Sequence, residues 1–282
     1  MHEEVKRLGS LAAAPELYPE LVRLGAAPSL LALLTHDNAD IAAEGALLLR
    51  ELTDADAAAE SDAALAGAAA LAEALCAGAQ AAEGGDDDAA EACAGLAALV
   101  SALGRFDEAA AEEAAAVHSL LAVFENLVEI SPLLRDRLLA PQAGLLAWLL
   151  RRVTAPGGRV DANRVYAAEL LSVLTAGGDA AARRLGEAGG IDALLRAIAP
   201  FKGGKKGKEK PKEGADADMV RSHIAHRSAA AVAVFLLTWR AHPRRICRRL
   251  SSLKTASTRC APQCCSTTTR RESQKALISS LL

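Results

Sequence analysis

Gly25-Ala-Ala-Pro-Ser-Leu-Leu-Ala-Leu-Leu-Thr-His-Asp-Asn-Ala-Asp-Ile-Ala-Ala-Glu-Gly-Ala-Leu-Leu-Leu-Arg-Glu-Leu-Thr-Asp54 decides the fold. It reads as a short leucine-rich helix, a polar turn at His36-Asp-Asn38, and a longer amphipathic helix. In the second helix Ile41, Gly45, Leu48 and Leu52 fall on one face, the spacing of a core-facing stripe. Asn38 and Asp40 carry side-chain oxygens suited to capping its first backbone N–H groups. Gly45 predicts a close helix crossing, because glycine costs about 1 kcal/mol relative to alanine in a helix interior. Such a helix pair cannot bury its apolar face alone and must stack on similar units.

Further units follow. Residues 63–77 read as a weaker helix, and Glu83-Gly-Gly-Asp-Asp-Asp88 as a loop. Gly95 opens an apolar run ahead of a long helix at 114–130 with Val117, Leu120, Leu121, Phe124 and Leu127 as its stripe. Pro132 ends that unit by removing a backbone donor. Gly144-Leu-Leu-Ala-Trp-Leu-Leu150 opens the next, whose second helix starts at Asp161-Ala-Asn-Arg-Val-Tyr166 and reaches Leu174. Gly189-Gly-Ile-Asp-Ala-Leu-Leu195 begins another. The glycines at 95, 144 and 189 lie 49 and 45 residues apart, near the roughly 40–47 residue period of armadillo and HEAT repeats.

The 282 residues are 51% hydrophobic but only 3% aromatic, so alanine and leucine carry a helical core and too little remains for a sheet. The expected fold is all-α, an armadillo/HEAT-like α-solenoid wound as a right-handed superhelix. Its parts are a helical repeat domain at 1–200, a basic Lys/Gly linker at 201–218, a further helix at 219–240 and a disordered Arg/Ser/Thr/Cys-rich tail at 241–282. Residues 1–200 hold 14 basic and 30 acidic side chains, a balance of −16, whereas 201–282 hold 18 and 5, a balance of +13. The start of the chain reads as no secretory signal, and a reducing compartment is expected for its six cysteines. Cys76 and Cys93 read as small buried thiols. No apolar run approaches the roughly 20 residues of a membrane span.

Pro15-Glu-Leu-Tyr-Pro-Glu-Leu-Val-Arg-Leu-Gly25, Ser29–Asp40, Glu51-Leu-Thr-Asp54, Val117-His118, Glu125-Asn126, Gly144–Leu150, Asp161–Tyr166, and Gly190–Leu195 through Phe201-Lys202 are more specific than leucine periodicity alone. Together these segments resemble the beta-catenin-like protein 1 family, an armadillo-type group associated with the spliceosome. They stand in family order across about residues 3–202. The resemblance implies a nuclear, non-enzymatic scaffold in pre-mRNA splicing, associated with a Prp19-type complex and its cell-division-cycle-5-like subunit. The implied partner segment is basic and extended, in keeping with the acidic body. Beyond about Met219 no family pattern is recognised, and the tail after about 240 reads as a truncated or misread gene model.

His118, Glu125 and Asn126 are the expected partner-facing residues. In armadillo proteins an asparagine near the end of this helix often binds peptide backbone; Glu51 and Val173 stand at the corresponding places here, so no asparagine ladder is expected. That weakens the alternative of a nuclear-import-type adaptor for basic localisation peptides. His36-Asp-Asn38 and Asp161-Ala-Asn163 read as turn formers and caps, and Tyr18, Trp148 and Tyr166 as packing residues with a polar edge. Lys205, Lys206, Lys208, Lys210 and Lys212 form either a localisation signal or a solvated loop. Arg244-Arg-Ile-Cys-Arg-Arg249 lacks interleaved aromatics, so the other alternative, RNA binding by the basic tail, is limited to non-specific attraction. Cys247, Cys260, Cys264 and Cys265 lack paired zinc knuckles, and His223 and His226 lack the intervening Glu of a metalloprotease motif. No phosphate loop, nucleophile elbow or dinucleotide fingerprint is present. No enzymatic activity, cofactor or metal is expected.

Overall fold

The computed structural model describes residues 2–77, 93–155 and 161–198. They build helices α1 (His2–Gly9), α2 (Tyr18–Arg23), α3 (Ala26–Leu33), α4 (Ala39–Leu52), α5 (Ala55–Ala58), α6 (Asp62–Ala77), α7 (Ala94–Leu103) and α8 (Ala111–Ile130). After these come α9 (Leu134–Leu138), α10 (Leu145–Thr154), α11 (Ala162–Thr175), α12 (Asp179–Glu187) and α13 (Gly190–Ile198). Among the described residues there is no strand. The expected linker, further helix and tail lie outside them.

Caps set the helix starts. Asn38 Oδ1 accepts the Asp40 backbone N–H at 2.8 Å, Asp54 accepts from Asp56 and Ala57, and Asp161 accepts from Arg164 at 2.8 Å. Arg105 bonds the Leu34 and His36 carbonyls just past the end of α3, at 2.7 and 3.1 Å, so carbonyls left over at that helix end find donors.

The helices stack in two rows. One row runs α1, α4, α8, α11, each packed on the next; the other runs α3, α7, α10, α13. Within each unit the rows pair as α3 with α4, α7 with α8 and α10 with α11. Short helices turn the chain into the second row: α2 before α3, α9 before α10 and α12 before α13. This is an armadillo-like all-α solenoid of three-helix units.

The corners into the second row need left-handed backbone at Gly25, Gly144 and Gly189 (φ 73, 75 and 68°), a region that glycine enters without Cβ strain. In the second unit Gly95 lies buried one residue inside α7, whose N-cap is Cys93 at φ −123°; the residues leading into it lie outside the described ones.

Between the rows lies an aliphatic core. The α8 stripe of Val117, Leu120, Leu121, Phe124 and Leu127 is fully buried, together with Leu49, Leu71, Leu75, Leu96 and Leu99. Each such side chain contributes about 1.5–3 kcal/mol relative to exposure. Gly45 marks a close crossing, since a Cβ there would lie 2.8 Å from Leu33 Cβ. Gly67 on α6 is tighter still, with Pro15 O only 2.0 Å from such an atom. Burial pushes the Cys76 thiol up to about 12, so it packs as a neutral apolar group.

Candidate functional site

The row α4–α8–α11 buries one side against its partner row and leaves a stripe on each helix less covered. On α8 that stripe is Ala115, His118, Ala122, Glu125, Asn126 and Glu129; on α11 it includes Val165, Tyr166, Glu169 and Val173. On α4 it follows Asp40, Ala43, Glu44, Leu47 and Glu51. Contacts pair His118 with Asn163 and Glu125 with Tyr166, so α8 and α11 run in the same direction and their stripes lie side by side.

All three expected partner-facing residues lie on this open face. His118 and Tyr166 stack with ring centroids 4.9 Å apart at a 50° tilt, within the range of favourable aromatic pairs. The Tyr166 hydroxyl donates to Glu125 Oε2 at 2.5 Å. Burial, then that bond, then the charges of Glu125 and Glu169 push the phenol well above its usual range, while Arg50 on α4 pulls the other way. Tyr166 thus feels charges on α4, α8 and α11. Asn126 Nδ2 donates to Thr53 Oγ1 at 3.5 Å, tying α8 back to the end of α4. It is partly occupied as an inter-helix link.

The face is acidic. Asp40, Glu44 and Glu51 on α4, Glu112, Glu125 and Glu129 on α8, and Glu169 on α11 all lie on its uncovered side. Among the described residues of these three helices the basic side chains are Arg50 and Arg164, and the Arg164 guanidinium is bonded to the Val153 and Ala155 carbonyls at 2.9 Å each.

Beneath one edge lies a polar network that sequence reading missed. Asn163, 5% exposed, is not a turn former: its Nδ2 donates to Glu108 Oε2 and to the Ala114 carbonyl, both at 2.9 Å. Arg152 joins Glu108 at 2.8 Å to Asp161 at 2.9 Å. The network ties α10, α11 and the loop before α8 together. The available signal was the i, i+3 pair Asn163/Tyr166, which puts a polar and an aromatic side chain toward one neighbour. Tyr18, 1% exposed, and the half-buried Trp148 sit as packing residues.

Among the described residues no group of His, Cys, Asp and Glu has the arrangement of a metal site, and no helix is long and apolar enough to cross a membrane. The Lys205–Lys212 run, the Arg244–Arg249 cluster, His223, His226 and the four tail cysteines lie outside the described residues.

Comparison with known proteins bears on this array. A family model described as "Catenin-beta-like, Arm-motif containing nuclear" matches residues 1–220. Beta-catenin-like protein 1 of Bos taurus is 39% identical over 202 residues, covering 72% of this chain and 32% of that protein. The Homo sapiens protein of that name is 38% identical over the same length. The Schizosaccharomyces pombe homolog is 27% identical over 226 residues, 78% of this chain and 34% of that one. The chain spans about a third of the length of these relatives. An engineered protein of solved structure, 16% identical, covers 82% of this chain and 90% of its own at a TM-score of 0.36, too low to bear on the fold. With the family model spanning most of the chain, and helical units matching Arm repeats, the chain belongs to the catenin-beta-like, Arm-motif family.

Proposed function

We propose that the chain is a non-enzymatic interaction scaffold whose open α4–α8–α11 face receives a basic, extended segment of a protein partner. The observation that carries this reading is the acidic stripe across three adjacent helices. Complementary charge speeds encounter and discriminates against acidic partners. By resemblance to its family the setting is the nucleus and pre-mRNA splicing, with spliceosomal proteins as partners: a Prp19-type complex and its cell-division-cycle-5-like subunit. RNA contact is then indirect or non-specific. An import-adaptor reading is less favoured, because Asn126 reaches toward Thr53 and Glu51 and Val173 replace further asparagines.

The test is affinity purification of the endogenous protein with identification of its partners, repeated on a chain carrying Glu51→Gln and Glu129→Gln. Recovery of splicing subunits that falls with the double substitution supports the reading. Recovery of none, or of the same set undiminished, removes it.

A further inference from the structure

This inference rests on the proposed docking face and names the side chain that one position of it takes. His118 and Glu125 stand at i and i+7 on α8, with the small Ala122 between them, and share one side of that helix. Tyr166 of α11 touches both: its ring lies 4.9 Å from the His118 ring and its hydroxyl donates to Glu125 Oε2 at 2.5 Å. The imidazole is itself held through Nδ1 by Asn163. Ring, imidazole and carboxylate are therefore fixed before a partner arrives, yet Tyr166 and Glu125 are only partly buried and His118 is exposed. We infer that Tyr166 and Glu125 form an arginine-selective position, in which one guanidinium of the partner segment lies on the Tyr166 ring and donates to Glu125 Oε1.

The hydrogen bonding leaves room for it. Among the described residues Glu125 takes one hydrogen bond, and that bond falls on Oε2, so Oε1 is left to accept. A guanidinium is planar: it stacks on an aromatic face while its N–H fork donates within its own plane. A lysine ammonium is a compact, strongly hydrated charge and gives up more water on approaching a partly buried carboxylate. Donation by the Tyr166 hydroxyl to a carboxylate also enriches its ring in electrons, which favours a cation on the ring face.

The position occurs once on the face. Helix α4 has no aromatic side chain, Phe124 on α8 is fully buried, and Tyr166 is the sole tyrosine, phenylalanine or tryptophan of α11. Elsewhere the stripe offers carboxylates alone, which accept lysine and arginine alike. Arg50 on α4 acts on Tyr166 and opposes any cation seated there. Preference for arginine therefore comes from ring contact and planar hydrogen bonding rather than from local net charge. A partner segment gains a register from it, since one of its basic residues differs from the rest.

The experiment uses the full 282-residue chain and fluorescent peptides of alternating lysine and glycine, one all-lysine and a set with a single lysine changed to arginine at each place in turn. Affinities are read by anisotropy. The expected result is at least one arginine placement that binds about two- to fivefold tighter than the all-lysine peptide, the worth of a cation–π contact at an exposed site. In that complex the arginine Nε–H should show an upfield ring-current shift by NMR. Tyr166→Leu should bind both kinds of peptide alike, and Glu125→Gln, which keeps the ring in place, should shrink the gain. Equal affinity of the unaltered chain for the all-lysine and every arginine-bearing peptide overturns the selective position and leaves the docking face standing. A gain undiminished in both variants, or a tighter-bound arginine without the ring-current shift, overturns its assignment to Tyr166. Absence of binding by any of the peptides overturns the position and the docking face together.

Discussion

His118 Nδ1 lies 3.2 Å from Asn163 Oδ1 and is the donor of that bond. Both amide hydrogens of Asn163 are spent on groups that only accept, the Glu108 carboxylate and the Ala114 carbonyl, so its oxygen is left to accept. The imidazole proton is thereby fixed on Nδ1. The exposed edge of the open face is thus oriented by a buried amide on the next helix.

Asn163→Ala removes three bonds at once, although the Ala114 carbonyl keeps its helical N–H partner and Glu108 keeps Arg152. A loss of about 2–3 kcal/mol is expected from three hydrogen bonds, one of them to a carboxylate. Urea unfolding should show a lower midpoint at unchanged slope. His118→Ala, at an exposed position, should cost less than about 1 kcal/mol in the same measurement.

Alanine at two buried glycines should destabilise in spite of its better helix propensity. Gly67→Ala sets a Cβ against Pro15 O and Gly45→Ala against Leu33 Cβ. Overpacking of this kind costs about 1–3 kcal/mol, with Gly67 the worse because backbone is in the way. Gly104, at φ −88° and with Ser101 O at 3.5 Å from an added Cβ, is the control. Thermal melting of Gly104→Ala should be unchanged or slightly raised.

Alkaline stability should depend on Tyr18. Burial first, then the charges of Asp54 and Glu16, push its phenol from 10.0 up to about 12. Between those values the unfolded chain has released a proton that the folded chain retains, so stability present below pH 10 is lost as pH rises toward 12. The loss is on the order of 2 kcal/mol. Tyr18→Phe should flatten the fall of melting temperature between pH 10 and 12; an unchanged slope would exclude Tyr18 as its source.

Removing carboxylates from the open face should weaken attachment of a lysine-rich peptide stepwise. Glu51→Gln and Glu129→Gln are each expected to cost about two- to fivefold in affinity, the worth of an exposed pair, and to reduce its salt dependence. Anisotropy titrations at two ionic strengths check both.

The fold was legible where local pattern and tertiary demand agree. The 117–127 stripe predicted the buried side of α8, and Asn38 and Asp161 act as caps where the sequence placed them. The glycine spacing marks the starts of second-row helices: Gly95 lies one residue inside α7, and Gly144 and Gly189 stand just before α10 and α13. Asn163 was misread. Two residues past a capping Asp it resembles part of a turn, but its partners Glu108, Ala114 and His118 lie 45 to 55 positions earlier. The acidity of the body was plain from composition, whereas the line of carboxylates along α4, α8 and α11 needed the rows to be assembled.

The two joints of the α4–α8–α11 row are built from different materials. The joint of α4 with α8 is aliphatic, with a long amide–hydroxyl link between Asn126 and Thr53. The joint of α8 with α11 adds polar bonds from Asn163 to Ala114, His118 to Asn163 and Tyr166 to Glu125, with the Arg152–Glu108 pair beside it. Cooling and urea weaken apolar contacts, while added salt acts on ion pairs. Salt should therefore act on the α8–α11 joint through the Arg152–Glu108 pair beside it, in addition to the apolar burial that both joints share.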